Sequence, residues 1–168
     1  MPEHPQRESL GKTKDGIEVF FDPHLSHAST HFAHQPQLRS AVEKVIPTLE
    51  ANSDLVRVDR NMEEIIGNTD LVETSDSDEI VYALRPKRTV YSRFVKGKSS
   101  VPTSWITVVL RKKGNIYILY TAFVGRNVPS FPGGDYLPEQ SREFWSTHAL
   151  VWGSQEIIPG TETTVCPW

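Results

Sequence analysis

The stretch TSWITVVLRKKGNIYILYTAFVG, residues 103–125, decides the fold class of this chain. In its first part Ile106, Val108 and Leu110 fall on one face, because residues alternate between the two faces of a strand. The second part is apolar on both faces, which is typical of a central, covered strand. KKGN is a short connection of the kind that joins antiparallel neighbours. The stretch therefore predicts an antiparallel pair of strands.

The flanking segments extend this pattern. EIVYALR (79–85) and TVYSRFVK (89–96) predict two further strands, and LRSAVEKVIPTLEA (38–51) has helical spacing that Pro47 should kink or end. NMEEIIGN (61–68) predicts a second short helix, and EQSREFWSTHAL a C-terminal helix over about 138–149. The predicted class is α+β, with N-terminal helices packed on a mainly antiparallel sheet and one C-terminal helix. Residues 1–16 are predicted to be a flexible tail and residues 17–168 a single domain.

The charges are distributed unevenly. The formal net charge is −3, yet residues 80–134 contain no acidic side chain. The same segment holds ten cations: Arg85, Lys87, Arg88, Arg93, Lys96, Lys98, Arg111, Lys112, Lys113 and Arg126. Such a segment favours binding of polyanions. The alternative is that acidic elements of the first half pack over these cations and neutralise them.

Composition also predicts where the protein acts. One cysteine, Cys166, excludes an internal disulfide and favours a cytoplasmic protein. The chain has no apolar run near the ~18 residues that span a bilayer, so no membrane association is predicted. Residues 1–16 do not resemble a secretory signal.

Four histidines, His24, His27, His31 and His34, recur at helical spacing. On one helical face two or three of them could ligate a metal, with His27 and His31 the first candidates. Pro23 and Pro36 bracket the run, however, and no carboxylate lies within it. The pattern favours structural histidines and leaves a metal site as the alternative.

His148 is the candidate general acid or base. On the predicted C-terminal helix it shares a face with Ser141, Phe144 and Trp145, and partial burial adjusts a histidine for proton transfer near neutral pH. The alternative is a buried histidine that is hydrogen-bonded to a backbone carbonyl.

Arg93 and Thr121 are further candidates. Arg93 shares a predicted strand face with Tyr91, whereas Lys96 projects from the opposite face. Arg93 is either a surface side chain or a bidentate clamp for a phosphate. Thr121 interrupts an apolar strand face, and its buried hydroxyl needs a partner, either a ligand or the backbone.

Five motifs resemble those of an uncharacterised group of small bacterial proteins. They are YSRFVK (91–96), PTSWITVVL (102–110), YTAFVGR (120–126), SREFWSTHALVWG (141–153) and GTETTVCPW (160–168). In architecture, helices followed by basic and aromatic antiparallel strands resemble the barnase, EndoU, colicin and RelE group of toxin ribonucleases. That resemblance implies RNA cleavage without metal, by a few polar side chains on the face of a sheet. The chain departs from that group in its negative net charge.

These observations predict a metal-independent endoribonuclease of the toxin type, with no cofactor and with RNA and an antidote protein as partners. His148 would transfer protons, Arg93 would stabilise charge, Thr121 and Ser141 would orient the phosphate, and Tyr91 would offer a second proton route. The predicted phosphate-binding residues are Arg88, Lys96 and Arg126. Two alternatives remain open: a non-catalytic module that binds an anion or a partner, and a metal enzyme built on the histidines. A nuclease requires His148 and Arg93 to converge in one cleft, whereas a docking surface does not.

Overall fold

The structure, a computed structural model, describes residues 7–26, 29–135 and 137–168, and only the backbone of residues 29, 30 and 34. The described strands are β1 (Glu8–Lys12), β2 (Glu18–Phe21), β3 (Leu55–Asn61), β4 (Gly67–Thr69), β5 (Leu71–Glu73), β6 (Glu79–Leu84), β7 (Tyr91–Lys96), β8 (Val101–Thr103), β9 (Trp105–Lys113), β10 (Ile116–Val124) and β11 (His148–Val151). The helices are α1 (Ser29–His34), α2 (Pro36–Val45) and α3 (Glu139–Thr147), and a single 3-10 turn covers Ile46–Thr48. The predicted α+β class, mainly antiparallel and with one C-terminal helix, is confirmed.

The chain divides into two compact units. Unit 1 comprises Met1–Asn68 and Pro102–Asn127, and unit 2 comprises Thr69–Val101 and Val128–Trp168. That both units belong to one domain, as the sequence predicts for residues 17–168, stays a prediction.

Unit 1 is built on a five-stranded sheet in the order β1-β2-β10-β9-β3. Strand β10 lies between β2, to which it is parallel, and β9, to which it is antiparallel, so its predicted central position is confirmed. Ile106, Val108 and Leu110 are fully buried in one core with the apolar face of α2, as their shared strand face predicts. Helix α2 ends at Val45, two residues before Pro47, because proline lacks the N–H that a continuing helix needs.

Two segments of unit 1 differ from the sequence predictions. The predicted flexible tail contains β1, whose residues pair with β2. Residues 61–68 form no helix: β3 ends at Asn61, Glu63 has a positive φ of 61°, and β4 begins at Gly67. The N–H of Ile66 donates to the carbonyl of Thr103, so pairing with a distant segment overrides the local helical pattern.

Unit 2 is built on a four-stranded sheet in the order β5-β11-β7-β6. Strands β6 and β7 are antiparallel, as predicted, and β11 runs parallel to β7 and antiparallel to β5. All four strands predicted between residues 79 and 125 are confirmed, but they divide between two sheets instead of belonging to one. The segment around Thr163 adds a bridge to Tyr82 of β6.

The C-terminal helix ends earlier than predicted. Helix α3 stops at Thr147, and His148 is the first residue of β11 rather than the last turn of the helix. The physical reason is pairing: His148, Ala149 and Leu150 are matched with residues of β5 across an antiparallel ladder.

None of the helices in the described part of the chain has the length and apolar character needed to cross a membrane.

Candidate functional site

Arg93 lies inside unit 2 and bonds to the protein itself. It is 8% exposed, and its Nη1 donates to the hydroxyl of Thr74 at 2.9 Å and to the backbone carbonyl of His148 at 2.8 Å. Burial raises the pKa of Tyr82, which lies opposite Arg93 on β6, and the guanidinium acts in the reverse direction. Arg93 therefore ties β7 to the first residue of β11 and to the residue after β5, and its burial leaves little access for a phosphate.

The side chains of Arg93 and His148 point to opposite faces of the unit 2 sheet. Strands β7 and β11 are in register at Phe94 with Leu150 and at Val95 with Val151. Because successive side chains alternate, Arg93 shares the face of Val95, whereas His148 shares the face of Leu150 and Phe94. The convergence of Arg93 and His148 that the sequence interpretation required is not present.

His148 is held in one orientation by the end of α3. Its ring stacks on that of Phe144 with the centroids 4.1 Å apart and the planes at 5°. Its Nδ1 lies 3.0 Å from the backbone carbonyl oxygen of Phe144 and 3.0 Å from the hydroxyl of Thr147. A carbonyl only accepts hydrogen bonds, so Nδ1 carries a hydrogen and Nε2 is the nitrogen left for proton transfer.

A carboxylate lies directly across the ladder from His148. Glu73 of β5 is its antiparallel partner, and side chains in such pairs have Cβ atoms roughly 5 Å apart. Both residues line one hollow of about 570 Å³, together with Lys98 and Ser99, and Leu71 adds an apolar wall. We call this the β5–β11 hollow. It combines a carboxylate, an imidazole and an ammonium group, which are the three charge types needed for proton transfer and for stabilising an anion.

Lys98 is positioned at the β5–β11 hollow by Asp78. Its Nζ lies 3.7 Å from Oδ2 of Asp78, and the Lys98 side chain is 39% exposed. The pKa of Asp78 is lowered, first by the backbone N–H of Ser75 and also by the charge of Lys98. The Asp78 side chain is 18% exposed, so Asp78 orients Lys98 from a half-buried position while the ammonium group stays accessible to a bound anion.

The other predicted residues of unit 2 do not line the β5–β11 hollow. Ser141 is 1% exposed, so it faces the interior, and Tyr91, which is half-buried, lies on the same strand face as the buried Arg93. Lys96 is exposed at the end of β7, where its Nζ lies 3.6 Å from Glu79 and 5.1 Å from the ring centroid of Trp152.

Arg88 lies in the turn between β6 and β7. The N–H of Arg88 donates to the carbonyl of Arg85 at 3.1 Å, and Lys87 has a φ of +64°. A positive φ at the third position is what a type II turn requires, and glycine usually supplies it. The turn holds Lys87 and Arg88 exposed, with no carboxylate within ion-pair distance in the described residues.

Two predicted site residues belong to unit 1. Thr121 is half-buried on β10 opposite Val109, and Arg126 is exposed with its guanidinium 4.3 Å from the ring centroid of Trp105. The predicted set is therefore distributed over both units.

Few of the cations in the acid-free segment lie near an acidic side chain of the described residues. Of the ten cations between residues 80 and 134, Lys96 and Lys98 are the two that lie within ion-pair distance of a described carboxylate. Those carboxylates come from the adjacent Asp78 and Glu79. The acid-free segment thus keeps most of its positive charge available to a ligand or to aromatic rings.

The histidine run gives no metal centre in the part of the chain that the structure covers. No group of three or more His, Cys, Asp or Glu side chains is arranged there to hold a metal. His24 is exposed, and the ring of His31 lies 6.4 Å from that of Phe123. His27 and the side chain of His34 fall outside the described residues, so a site on His27 and His31 stays a prediction.

Sequence reasoning missed Glu73 as a site residue. It lies within TDLVETSDSDE (69–79), which predicts an acidic loop, and the two apolar residues Leu71 and Val72 were the only sign of a strand there. Lys98 was counted among the cations but had no assigned role. Their meeting with His148 depends on pairing between segments about seventy residues apart, which local patterns do not encode.

Comparison with protein-family models, with curated proteins and with solved structures finds no match to this chain. The resemblance to an uncharacterised bacterial group and to the toxin ribonucleases therefore stays a prediction.

Proposed function

We propose that the protein is a metal-independent endoribonuclease whose reaction takes place in the β5–β11 hollow. The observation that carries this proposal is the direct pairing of His148 with Glu73 on neighbouring strands, with both lining a hollow that also holds Lys98. Arg93, whose guanidinium is buried, acts in this proposal as a positioning residue because it donates to the backbone carbonyl of His148.

The residues supply each proton transfer of cleavage by the ribose 2′-hydroxyl. The Glu73 carboxylate takes the 2′-hydroxyl proton, and the 2′-oxygen forms a bond to phosphorus. As the bond from phosphorus to the 5′-oxygen breaks, protonated His148 donates its Nε2 hydrogen to that oxygen. The products are a 2′,3′-cyclic phosphate and a 5′-hydroxyl end. Lys98 stabilises the dianionic phosphorane between these two steps.

Cleavage of RNA in the presence of EDTA tests the proposal. Wild-type protein, His148→Ala and Glu73→Gln are incubated with a fluorogenic RNA and with the same sequence made of 2′-deoxynucleotides. We expect cleavage of the RNA alone, with about 10²–10⁴-fold loss in each variant, the usual contribution of a general acid or base. Arg142→Gln, an exposed change on α3, is the matched control and should retain full activity.

Two results would contradict the proposal. Equal activity in wild type and both variants would assign any cleavage to a contaminant, and cleavage of the deoxy substrate would exclude attack by the 2′-hydroxyl. Circular dichroism of each variant separates loss of chemistry from loss of fold.

A second candidate function is binding of an anion or a partner without catalysis. The observation that favours it is that six of the ten cations are exposed with no carboxylate within ion-pair distance in the described residues: Lys87, Arg88, Arg111, Lys112, Lys113 and Arg126. Wild-type protein that retains RNA in a filter-binding assay but cleaves none of it would select this function. An antidote protein and a cytoplasmic location remain part of either proposal.

A further inference from the structure

Three consecutive cations end strand β9 in unit 1. Arg111, Lys112 and Lys113 are paired with the first residues of β10, and Gly114, with a φ of +64°, turns the chain between the strands. Arg111 and Lys113 project from one face of the strand and Lys112 from the other. The end of this hairpin therefore spreads positive charge over both faces of the sheet edge.

A bulge in β10 brings an aromatic ring to Arg111. The register shifts between Leu119 and Thr121, which leaves Tyr120 as an extra residue in that strand. The guanidinium carbon of Arg111 lies 4.3 Å from the Tyr120 ring centroid. A guanidinium stacked on a ring is held in place while the N–H groups at its edge remain available to accepting oxygens.

These groups line one hollow of about 210 Å³, which we call the β9–β10 hollow. Ile118 and Leu25, which is 37% exposed, complete its wall with apolar surface. Its lining contains no acidic side chain, and across the described residues no carboxylate lies within ion-pair distance of its three cations. The hollow thus offers concentrated positive charge next to an apolar and aromatic surface.

We propose that the β9–β10 hollow binds single-stranded RNA, with phosphates on the three cations and a base against the Tyr120, Ile118 and Leu25 wall. The volume is below the roughly 300–1,000 Å³ of sites that enclose a whole small ligand, so it suits one unit of a polymer. A base has a planar face that stacks on such a wall, which an acidic peptide lacks. The choice of RNA rests on the proposed function, whereas the binding site itself rests on the geometry of unit 1.

Fluorescence anisotropy with a labelled 2′-O-methyl uridine dodecamer tests this site. The 2′-O-methyl group removes the attacking hydroxyl, so binding is measured without cleavage. We expect Lys112→Gln/Lys113→Gln to weaken binding on the order of 10-fold at 0.1 M salt. The slope of log K against log salt should fall by about 1.4, since each phosphate contact of a single strand contributes about 0.7. Lys12→Gln/Arg142→Gln removes the same charge from exposed positions elsewhere and should bind like wild type.

The aromatic wall has its own test. Tyr120→Leu should weaken binding about 5-fold or more, the loss expected when one stacked base is released, and Tyr120→Phe should bind like wild type.

Either of two outcomes would contradict the proposal that the β9–β10 hollow binds RNA. The Lys112→Gln/Lys113→Gln protein could bind as tightly as its charge-matched control, or the protein could bind anionic phosphatidylserine vesicles and not the dodecamer. If wild type binds as expected but cleaves no RNA, the proposed ribonuclease fails and this site stands. If cleavage depends on His148 while the lysine variant binds normally, the site fails and the ribonuclease stands.

Discussion

The cations of the acid-free segment are used differently in the two units. In unit 2, Arg93 is buried and donates to Thr74 and to the backbone of His148, and Lys96 and Lys98 lie near carboxylates. In unit 1, Arg111 and Arg126 stack on aromatic rings, and no described carboxylate lies within ion-pair distance of either. Arginine thus supports structure at Arg93 of unit 2 and presents charge outward at Arg111 and Arg126 of unit 1. Lys87 and Arg88, in the β6–β7 turn of unit 2, are also exposed.

This difference shows why a count of charges along the chain does not locate a site. A guanidinium satisfied by buried oxygens contributes to folding, whereas one on an aromatic ring keeps its N–H groups for a ligand. The two hollows also differ in their side chains. The β5–β11 hollow contains a carboxylate and an imidazole, which can exchange protons. The β9–β10 hollow contains cations and an aromatic and apolar wall but no carboxylate or imidazole, which suits binding.

Replacing Arg93 and Arg111 separately with methionine should give the largest difference between the two units. Arg93→Met leaves the Thr74 hydroxyl and the His148 carbonyl without their charged donor, and we expect a loss of about 3 kcal/mol in the free energy of unfolding. Arg111→Met, the matched change at an exposed position, should cost less than about 1 kcal/mol. Urea denaturation followed by circular dichroism measures both. Equal losses would remove the distinction between a structural and a ligand-facing arginine.

Two aspartates, one in each unit, make the stability of the fold depend on pH in opposite directions. In unit 1, burial alone would raise the pKa of Asp22, but bonds from the His24 N–H and from Arg7 outweigh it and lower that pKa. In unit 2, burial raises the pKa of Asp70. Asp22 therefore stabilises the fold above its unfolded pKa of about 3.9, and this contribution is lost as the pH falls through the lower folded pKa. Asp70 opposes folding at neutral pH, and this penalty is relieved as the pH falls through its raised pKa.

Replacing each aspartate with asparagine tests the two predicted directions of the pH dependence. Asp22→Asn should lower the free energy of unfolding by about 2 kcal/mol at pH 7 and make stability less sensitive to pH below about 4. Asp70→Asn should raise stability at pH 7 by a smaller amount and remove the gain on acidification above about pH 4. Unfolding curves recorded from pH 3 to pH 7 give the slopes, and slopes of the same sign for both residues would contradict this account.

Substitutions in the two hairpin turns should change the free energy of unfolding least. Lys87 in the β6–β7 turn and Gly114 in the β9–β10 turn both have a φ of +64°, which is strained for lysine and unstrained for glycine. Lys87→Gly should stabilise the protein by about 0.5–1 kcal/mol, and Gly114→Ala should destabilise it by about 1 kcal/mol. Thermal unfolding measures both changes. A stabilising Gly114→Ala would show that φ does not control these turns.

Local residue patterns were sufficient to identify several secondary-structure elements of this protein. Alternation between faces identified β6, β7, β9 and β10, and helical spacing with Pro47 identified α2 and its end. These elements are predictable because the period of side-chain burial is written in neighbouring residues. The apolar residues on both faces of β10 also predicted a central position, which the sheet order confirms.

Local patterns do not show how those strands are shared between two sheets. They also do not show which polar groups come together, because both depend on long-range pairing. Strand β11 was hidden in a helical pattern because its pairing with β5 and β7 lies far away in sequence. That pairing turns Arg93 to the face opposite His148 and puts Glu73 beside His148 instead. The physical reason is that strand register sets which face each side chain takes, and register depends on hydrogen bonds between distant segments rather than on local residue type.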